Sequence, residues 1–276
     1  MSHLRGEEAS GLKTRHILMA FSFILLTIFL FIIIFSRSSE ERATAQDGLV
    51  PDAGYYLPAT TPASSSGQPI DVNPAPTQKP ISDEKPDVDI SSWQFILANS
   101  EHNIGKYAPT VTAVEDTAQF FDERAVDALV EFLNAARAAG YTPYIMTAYR
   151  PYSTQEYYYN GKASQISWPD YPSAEDYEAA AKLVAPPGTS DHQTGLGVDI
   201  TDKYYSSLDA SLMDQDFLAW MAENCADDGF ILRYPSLRKT IAVYDEPWHF
   251  RYVGKEAAEY IMANNLCLEQ FIEMYD

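Results

Sequence analysis

Two cysteines are too few for a disulfide-rich scaffold or a four-cysteine zinc site, so any metal centre in this chain has to be built from histidine and carboxylate. Positive charge is also scarce: 19 Lys and Arg stand against 39 Asp and Glu, a formal net charge of −20. This balance excludes a nucleic-acid-binding role, because such affinity comes from neutralising phosphates with Lys and Arg. The same field repels phosphate-rich substrates. Histidine is rare, with five in all, and internal repeats are missing. What the chain does have is 46% apolar and 13% aromatic residues over a length of 276, enough for one or two folded domains and incompatible with disorder throughout.

The stretch Ile17 to Phe35 carries no charge and is long enough to cross a bilayer core as a helix. The apolar core of a cleaved secretory signal is shorter, roughly 7–15 residues. Here the polar run Ser36 to Arg42 also separates the apolar stretch from the candidate cleavage site Ala43-Thr44-Ala45. Arg5, Lys13 and Arg15 before the run outnumber Arg37 and Arg42 after it, which predicts a cytoplasmic amino terminus. Residues 1–16 are then a cytoplasmic tail, 17–35 a single-pass anchor in the lipid bilayer, and the remainder extracellular. From 36 to 89 the chain is rich in Pro, Ser, Thr and Ala and poor in large aliphatics, as expected of a flexible tether.

A folded domain is expected from 90 to 276. Asp122 as N-cap, an apolar spacing of Val126, Leu129, Val130 and Leu133, and Gly140 as C-terminal stop predict an amphipathic helix. Tyr144 to Tyr149, Leu196 to Thr201, Phe230 to Tyr234 and Trp248 to Val253 read as strands. Phe217, Trp220, Met221 and Cys225 mark a second helix face, and Ala257, Ala258, Ile261 and Met262 a third. Strands not separated by regular helices predict an α+β fold, with helices packed on a largely antiparallel sheet. Tyr157, Tyr158 and Tyr159 are expected to cover the core. Cys225 and Cys267 are expected as unpaired thiols.

Only His102, His192 and His249 lie beyond the apolar run, and two of them have unusual neighbours. His192 sits in a glycine-punctuated loop, Pro187 to Gly197, that runs into an apolar strand carrying Asp199. His249 follows Glu246-Pro247-Trp248 at the start of another strand. Two imidazoles and a carboxylate make a three-ligand set suited to catalytic zinc with one position open. Glu246, three residues before His249, is near enough to take a proton from water without serving as a ligand. Taken singly, His192 is also readable as a loop histidine, Asp199 as a cap and Glu246 as a surface acid. A serine hydrolase is excluded on its motif, since Gly188-Thr189-Ser190-Asp191-His192 lacks the second glycine of the nucleophile elbow. Arg150, at a strand end before Pro151, is placed to hold a carboxylate, stabilise an oxyanion or form an ordinary ion pair.

Three stretches, TAYRPYSTQ at 147–155, SDHQTGLGVD at 190–199 and EPWH at 246–249, resemble the motifs S-x-Y-R-S-x-x-x-Q, S-x-H-x-x-G-x-A-x-D and E-x-W-H of VanY-type D-alanyl-D-alanine carboxypeptidases, in the same order. The wider group includes lysostaphin-like peptidases and the hedgehog amino-terminal domain. The resemblance extends over roughly Trp93 to Phe271. It implies one zinc per chain on His192, Asp199 and His249, with Glu246 as catalytic base. Arg150 would assist at the oxyanion, and Gln155, Ser190 and Trp248 would line the substrate cleft. Thr147, Pro151 and Gly197 depart from the motif without removing a ligand.

The implied activity is removal of the terminal D-alanine from peptidoglycan stem peptides outside the cell membrane. An L,D-carboxypeptidase acting on tetrapeptide stems shares these motifs. A catalytically silent, zinc-stabilised wall-binding module is the alternative of another class, but binding alone needs neither Glu246 nor Arg150.

Overall fold

The computed structural model describes residues 84–234 and 246–275. The apolar run at 17–35, and the tether up to residue 83, lie outside the described residues. Among the described residues, no helix is long and apolar enough to cross a membrane.

The strands are β1 (Val111–Ala113), β2 (Phe120–Asp122), β3 (Tyr144–Thr147), β4 (Gly197–Thr201), β5 (Phe230–Leu232) and β6 (His249–Tyr252). β1 and β2 form a small antiparallel ribbon, while the other four make an antiparallel sheet in the order β3-β4-β6-β5. With helices packed on this sheet, the α+β class expected from the sequence is the class observed. The strands stop one or two residues short of their predicted ends. Beyond β3, for example, the Arg150 amide leaves the sheet to donate to the His192 carbonyl at 3.1 Å.

Side chains alternate between the two faces of a strand, and this rule divides the sheet. Val198 and Ile200 of β4, Phe230 and Leu232 of β5, and Phe250 of β6 enter one apolar cluster. The alternate positions carry Asp199, Ile231, His249 and Arg251. The register pairs Asp199 with His249 and Ile231 with Arg251. Polar groups spaced far apart in the chain therefore meet on one face of the sheet.

Helix α1 (Val126–Ala138) buries Leu129, Phe132, Leu133 and Ala136. The Phe132 ring centroid lies 5.3 Å from that of Phe230 and 5.4 Å from that of Phe250. Gly140 adopts φ +95 just past the helix, and the Tyr141 amide bonds back to the Ala136 carbonyl. This closure is open to glycine because it has no Cβ. The expected N-cap is different. Asp122 ends β2, where its amide donates to the Gly195 carbonyl and its carboxylate accepts from Arg124, so the helix begins only after Ala125. Ribbon pairing holds Asp122 too far upstream to cap.

Of the three helices not foreseen among the described residues, two are neighbours in the chain, α2 (Tyr152–Ser167) and α3 (Ala174–Ala181). They pack on each other, with the Tyr159 hydroxyl donating to the Tyr177 carbonyl at 2.9 Å. The tyrosine run belongs to this pair and does not cover the core: Tyr157 is exposed, Tyr158 lies beside Arg150, and Tyr159 stacks on Tyr177. Further on, α4 (Gln215–Asn224) buries Phe217 and Met221, while Trp220 is only partly buried. α5 (Lys255–Ala263) and α6 (Leu268–Glu273) form a second apolar cluster with Phe95, Ile231 and Val253. Cys225 and Cys267 are both buried and form no disulfide.

Candidate metal centre and active site

The loop before β4 is stitched to its surroundings through backbone and amide groups. Residues Asp191–Thr194 form a single tight turn, ended by Gly195 at φ +75, and all four are buried. The Gln193 side chain donates to the carbonyls of Gly105 and Tyr107 and accepts from the Gly188 amide. A Cβ at Gly197 would lie 3.1 Å from the backbone carbon of Asp191, which accounts for glycine at a motif position where the resemblance leads one to expect alanine.

This turn brings His192 against Asp199 and His249. The three residues are buried, and one donor atom of each lies within 4.8 Å of the others. His249 Nδ1 is 2.8 Å from Asp199 Oδ1, and His192 Nε2 is 3.4 Å from Asp199 Oδ2. Two of the three spacings are close to the roughly 3.3 Å between ligand atoms around a tetrahedral zinc, and the third is no more than 4.8 Å. His192 Nδ1 faces the Ala148 carbonyl at 2.8 Å, which leaves Nε2 for a metal. Among the described residues, the buried Asp191 Oδ2 and His249 Nε2 have no partner within hydrogen-bond geometry. Two imidazole nitrogens and a carboxylate oxygen are the donor chemistry that zinc accepts.

The charges of the cluster are coupled. Burial pushes His192 below its ordinary range, towards the neutral ligand form. Burial acts in the same sense on His249, but the neighbouring carboxylates of Asp191 and Asp199, with the charge of Glu246, outweigh it and raise that imidazole to about 10. Despite its burial, Asp199 is held well below the carboxylate range by the two histidines. The two histidines thus shift in opposite directions, because His249 faces two carboxylates and His192 one.

Glu246 flanks the cluster with Oε2 3.8 Å from His249 Nδ1, its side chain about one-third exposed (34%). Burial raises its carboxyl to about 7, and the His249 charge opposes that rise. Arg150 donates from Nη1 to Gln155 Oε1 at 2.9 Å and lies over the Tyr158 ring at 5.4 Å. Burial lowers the guanidinium pKa, while the charge of Asp199 acts against that lowering. Its hydrogen-bond partner is an amide oxygen, which distinguishes it from a strand-end ion pair.

The three residues that the resemblance assigns to the substrate cleft are all buried. Gln155 is fully buried, its amide nitrogen held by the Ala185 carbonyl at 2.6 Å and its oxygen by Arg150. Ser190 is buried at the start of the His192 turn. Trp248, 9% exposed, is part of the first apolar cluster.

Sequence reasoning missed the polar layer behind the histidines. Arg233 and Arg251 are fully buried, and both approach Asp191. Arg233 also makes a bidentate pair with Glu269, at 2.6 and 2.9 Å. Arg251 donates further to the carbonyls of Gln94 and Ile96. The Tyr234 ring stands 5.1 Å from that of His249. Only the alternation of Ile231-Leu232-Arg233 and Phe250-Arg251 within apolar strands could have revealed these arginines as inward-facing.

Comparison with known proteins agrees with this geometry. The model of the VanY family, described as D-alanyl-D-alanine carboxypeptidase, matches residues 118–255. A D-alanyl-D-alanine carboxypeptidase of Enterococcus faecalis is 33% identical over 213 residues, covering 76% of this chain and 77% of that protein. Among solved structures, a zinc complex of a mutant of the vancomycin-resistance D,D-pentapeptidase VanY from a VanB-type cassette is 35% identical with a TM-score of 0.56, covering 66% of this chain and 99% of that one. The LD-carboxypeptidase LdcB is 30% identical with a TM-score of 0.57, covering 69% of this chain and 93% of its own. The chain belongs to the VanY family of D-alanyl-D-alanine carboxypeptidases.

Proposed function

We propose that the protein is a zinc-dependent D,D-carboxypeptidase that removes the terminal D-alanine from peptidoglycan stem peptides, one zinc being held by His192, Asp199 and His249. The observation that carries this reading is the convergence of those three donors beside the Glu246 carboxylate, with the part-buried Arg150 guanidinium near enough to feel the charges of Asp199 and Glu246. When bound, zinc supplies Lewis-acid charge at the scissile carbonyl and lowers the pKa of water. Glu246 takes a proton from the attacking water and gives it to the departing amine, so a C–O bond forms as the C–N bond breaks. Arg150 offers its guanidinium to the developing oxyanion. Gln155 serves this step indirectly, because its amide fixes the direction of that guanidinium.

A second reading, L,D-carboxypeptidase activity on tetrapeptide stems, is supported by the likeness to LdcB. The full chain incubated with pentapeptide and tetrapeptide muropeptides decides between the two, with the released amino acid identified by mass spectrometry. D-alanine from the pentapeptide alone is the expected result. Release from the tetrapeptide alone selects the L,D reading, and release from neither refutes both.

The roles of Arg150 separate in kinetics. Lysine keeps the charge but loses the planar fork, so Arg150→Lys should lower kcat with little change in KM. A rise confined to KM would make Arg150 a clamp on the substrate carboxylate instead.

The uncharged run at 17–35 supports a single-pass anchor with the catalytic domain extracellular, where stem peptides are found. The protein should then sediment with membranes and resist alkaline extraction, yielding only to detergent. A mature amino terminus at Gln46 would show cleavage after Ala45 and overturn the anchor.

A further inference from the structure

Each histidine of the cluster has one ring nitrogen turned towards the other donors and one turned away. Behind His192, the atom facing Nδ1 is the Ala148 carbonyl at 2.8 Å. Behind His249, it is Asp191 Oδ2, 3.5 Å from Nε2. Among the described residues, neither of these buried atoms meets the geometry of a hydrogen bond, and neither does Arg233 Nε, which stands at the same distance from Oδ2. A buried polar atom left without a partner is costly, and Asp191 Oδ2 is the acceptor that faces His249 Nε2.

The carboxylate is itself held. Arg251 Nη1 donates to Asp191 Oδ1, Arg233 Nε stands 3.5 Å from Oδ2, and Glu269 fixes the far end of Arg233. Two guanidinium groups and two carboxylates make this buried layer neutral. Its residues come from the tight turn, β6, the segment after β5 and α6. Asp191 immediately precedes His192, yet its side chain serves the other histidine.

We propose that Asp191 is the positioning residue of the site: it accepts the Nε2 proton of His249, so the Nδ1 lone pair is presented to the metal, while Arg233 and Arg251 fix the carboxylate. A carboxylate behind a ligating imidazole sets its tautomer and ring orientation and raises its basicity. The inference rests on the zinc reading above. It assigns to the resemblance motif S-x-H a function for its middle residue in this chain.

The test is zinc affinity of the full chain in detergent, measured by competition with a chromophoric chelator well below the unfolding temperature of the metal-free protein. Asp191→Asn keeps the shape but no longer offers a carboxylate, and should weaken zinc binding about 10- to 100-fold. Ile261→Val trims the second apolar cluster, which lies outside the polar layer around Asp191. It should lower Tm and leave zinc affinity within about twofold of wild type, which a purely structural role for Asp191 would predict for both variants.

Folded Asp191→Asn with wild-type zinc affinity overturns the proposal. Should that variant lose its fold, the ¹⁵N-histidine spectrum of zinc-loaded wild type decides. Metal on Nδ1 and a proton on Nε2 of His249 are expected, and metal on Nε2 overturns the proposal. Failure of the wild type itself to bind zinc refutes the zinc reading, a result distinguishable from either.

Discussion

Glu246→Gln is expected to lower kcat by about 10²- to 10⁴-fold, the usual contribution of a positioned general base, while zinc content and Tm stay near wild type. Glutamine has the shape of glutamate but cannot take a proton from water. The side chain is one-third exposed, and its carboxylate lies 3.8 Å from His249 Nδ1. The check is steady-state hydrolysis of a stem pentapeptide alongside metal analysis of the same sample. A variant with near-normal kcat refutes the base assignment, whereas loss of zinc together with activity would make Glu246 a ligand.

Loss of a ligand should be more damaging still. His192→Ala or His249→Ala removes both the charge that polarises the carbonyl and the activation of water, so activity should fall by more than the ~10⁴-fold upper range of base removal. Zinc should no longer copurify. Both imidazoles are buried, 6% and 2% exposed, so circular dichroism and a thermal melt must accompany the assay to separate metal loss from unfolding. A folded His249→Ala that retains stoichiometric zinc refutes the ligand set.

The elements that position the site were largely legible because they follow period rules. Leu129, Phe132, Leu133 and Ala136 lie on one face of α1 at helical spacing, and β4, β5 and β6 were visible as short apolar runs. The helices α2 and α3 were not, for a physical reason. Tyr152–Ser167 carries polar residues on every side, so no apolar stripe announces it, and its stability comes from contacts such as Tyr159 with Tyr177 of α3. The capping box of Ser173 and Asp176 is the local signal that marks the start of α3.

At the site, the ligand candidates were found from rarity and motif order, since few histidines lie beyond the apolar run. Their meeting depends on strand register, which pairs Asp199 with His249 and cannot be read from spacing. Asp191, Arg233 and Arg251 went unnoticed because charged residues are ordinarily assigned to the surface, and only tertiary pairing makes it tolerable to bury them.

The most direct test of the central claim is to strip the full chain with chelator and add back zinc while following D-alanine release from a stem pentapeptide. Activity should be absent in the stripped protein and return in proportion to zinc, reaching a plateau at about one equivalent per chain, as three ligands with one open position require. Full hydrolysis by metal-free protein, or a plateau that Asp199→Ala leaves unchanged, would contradict it.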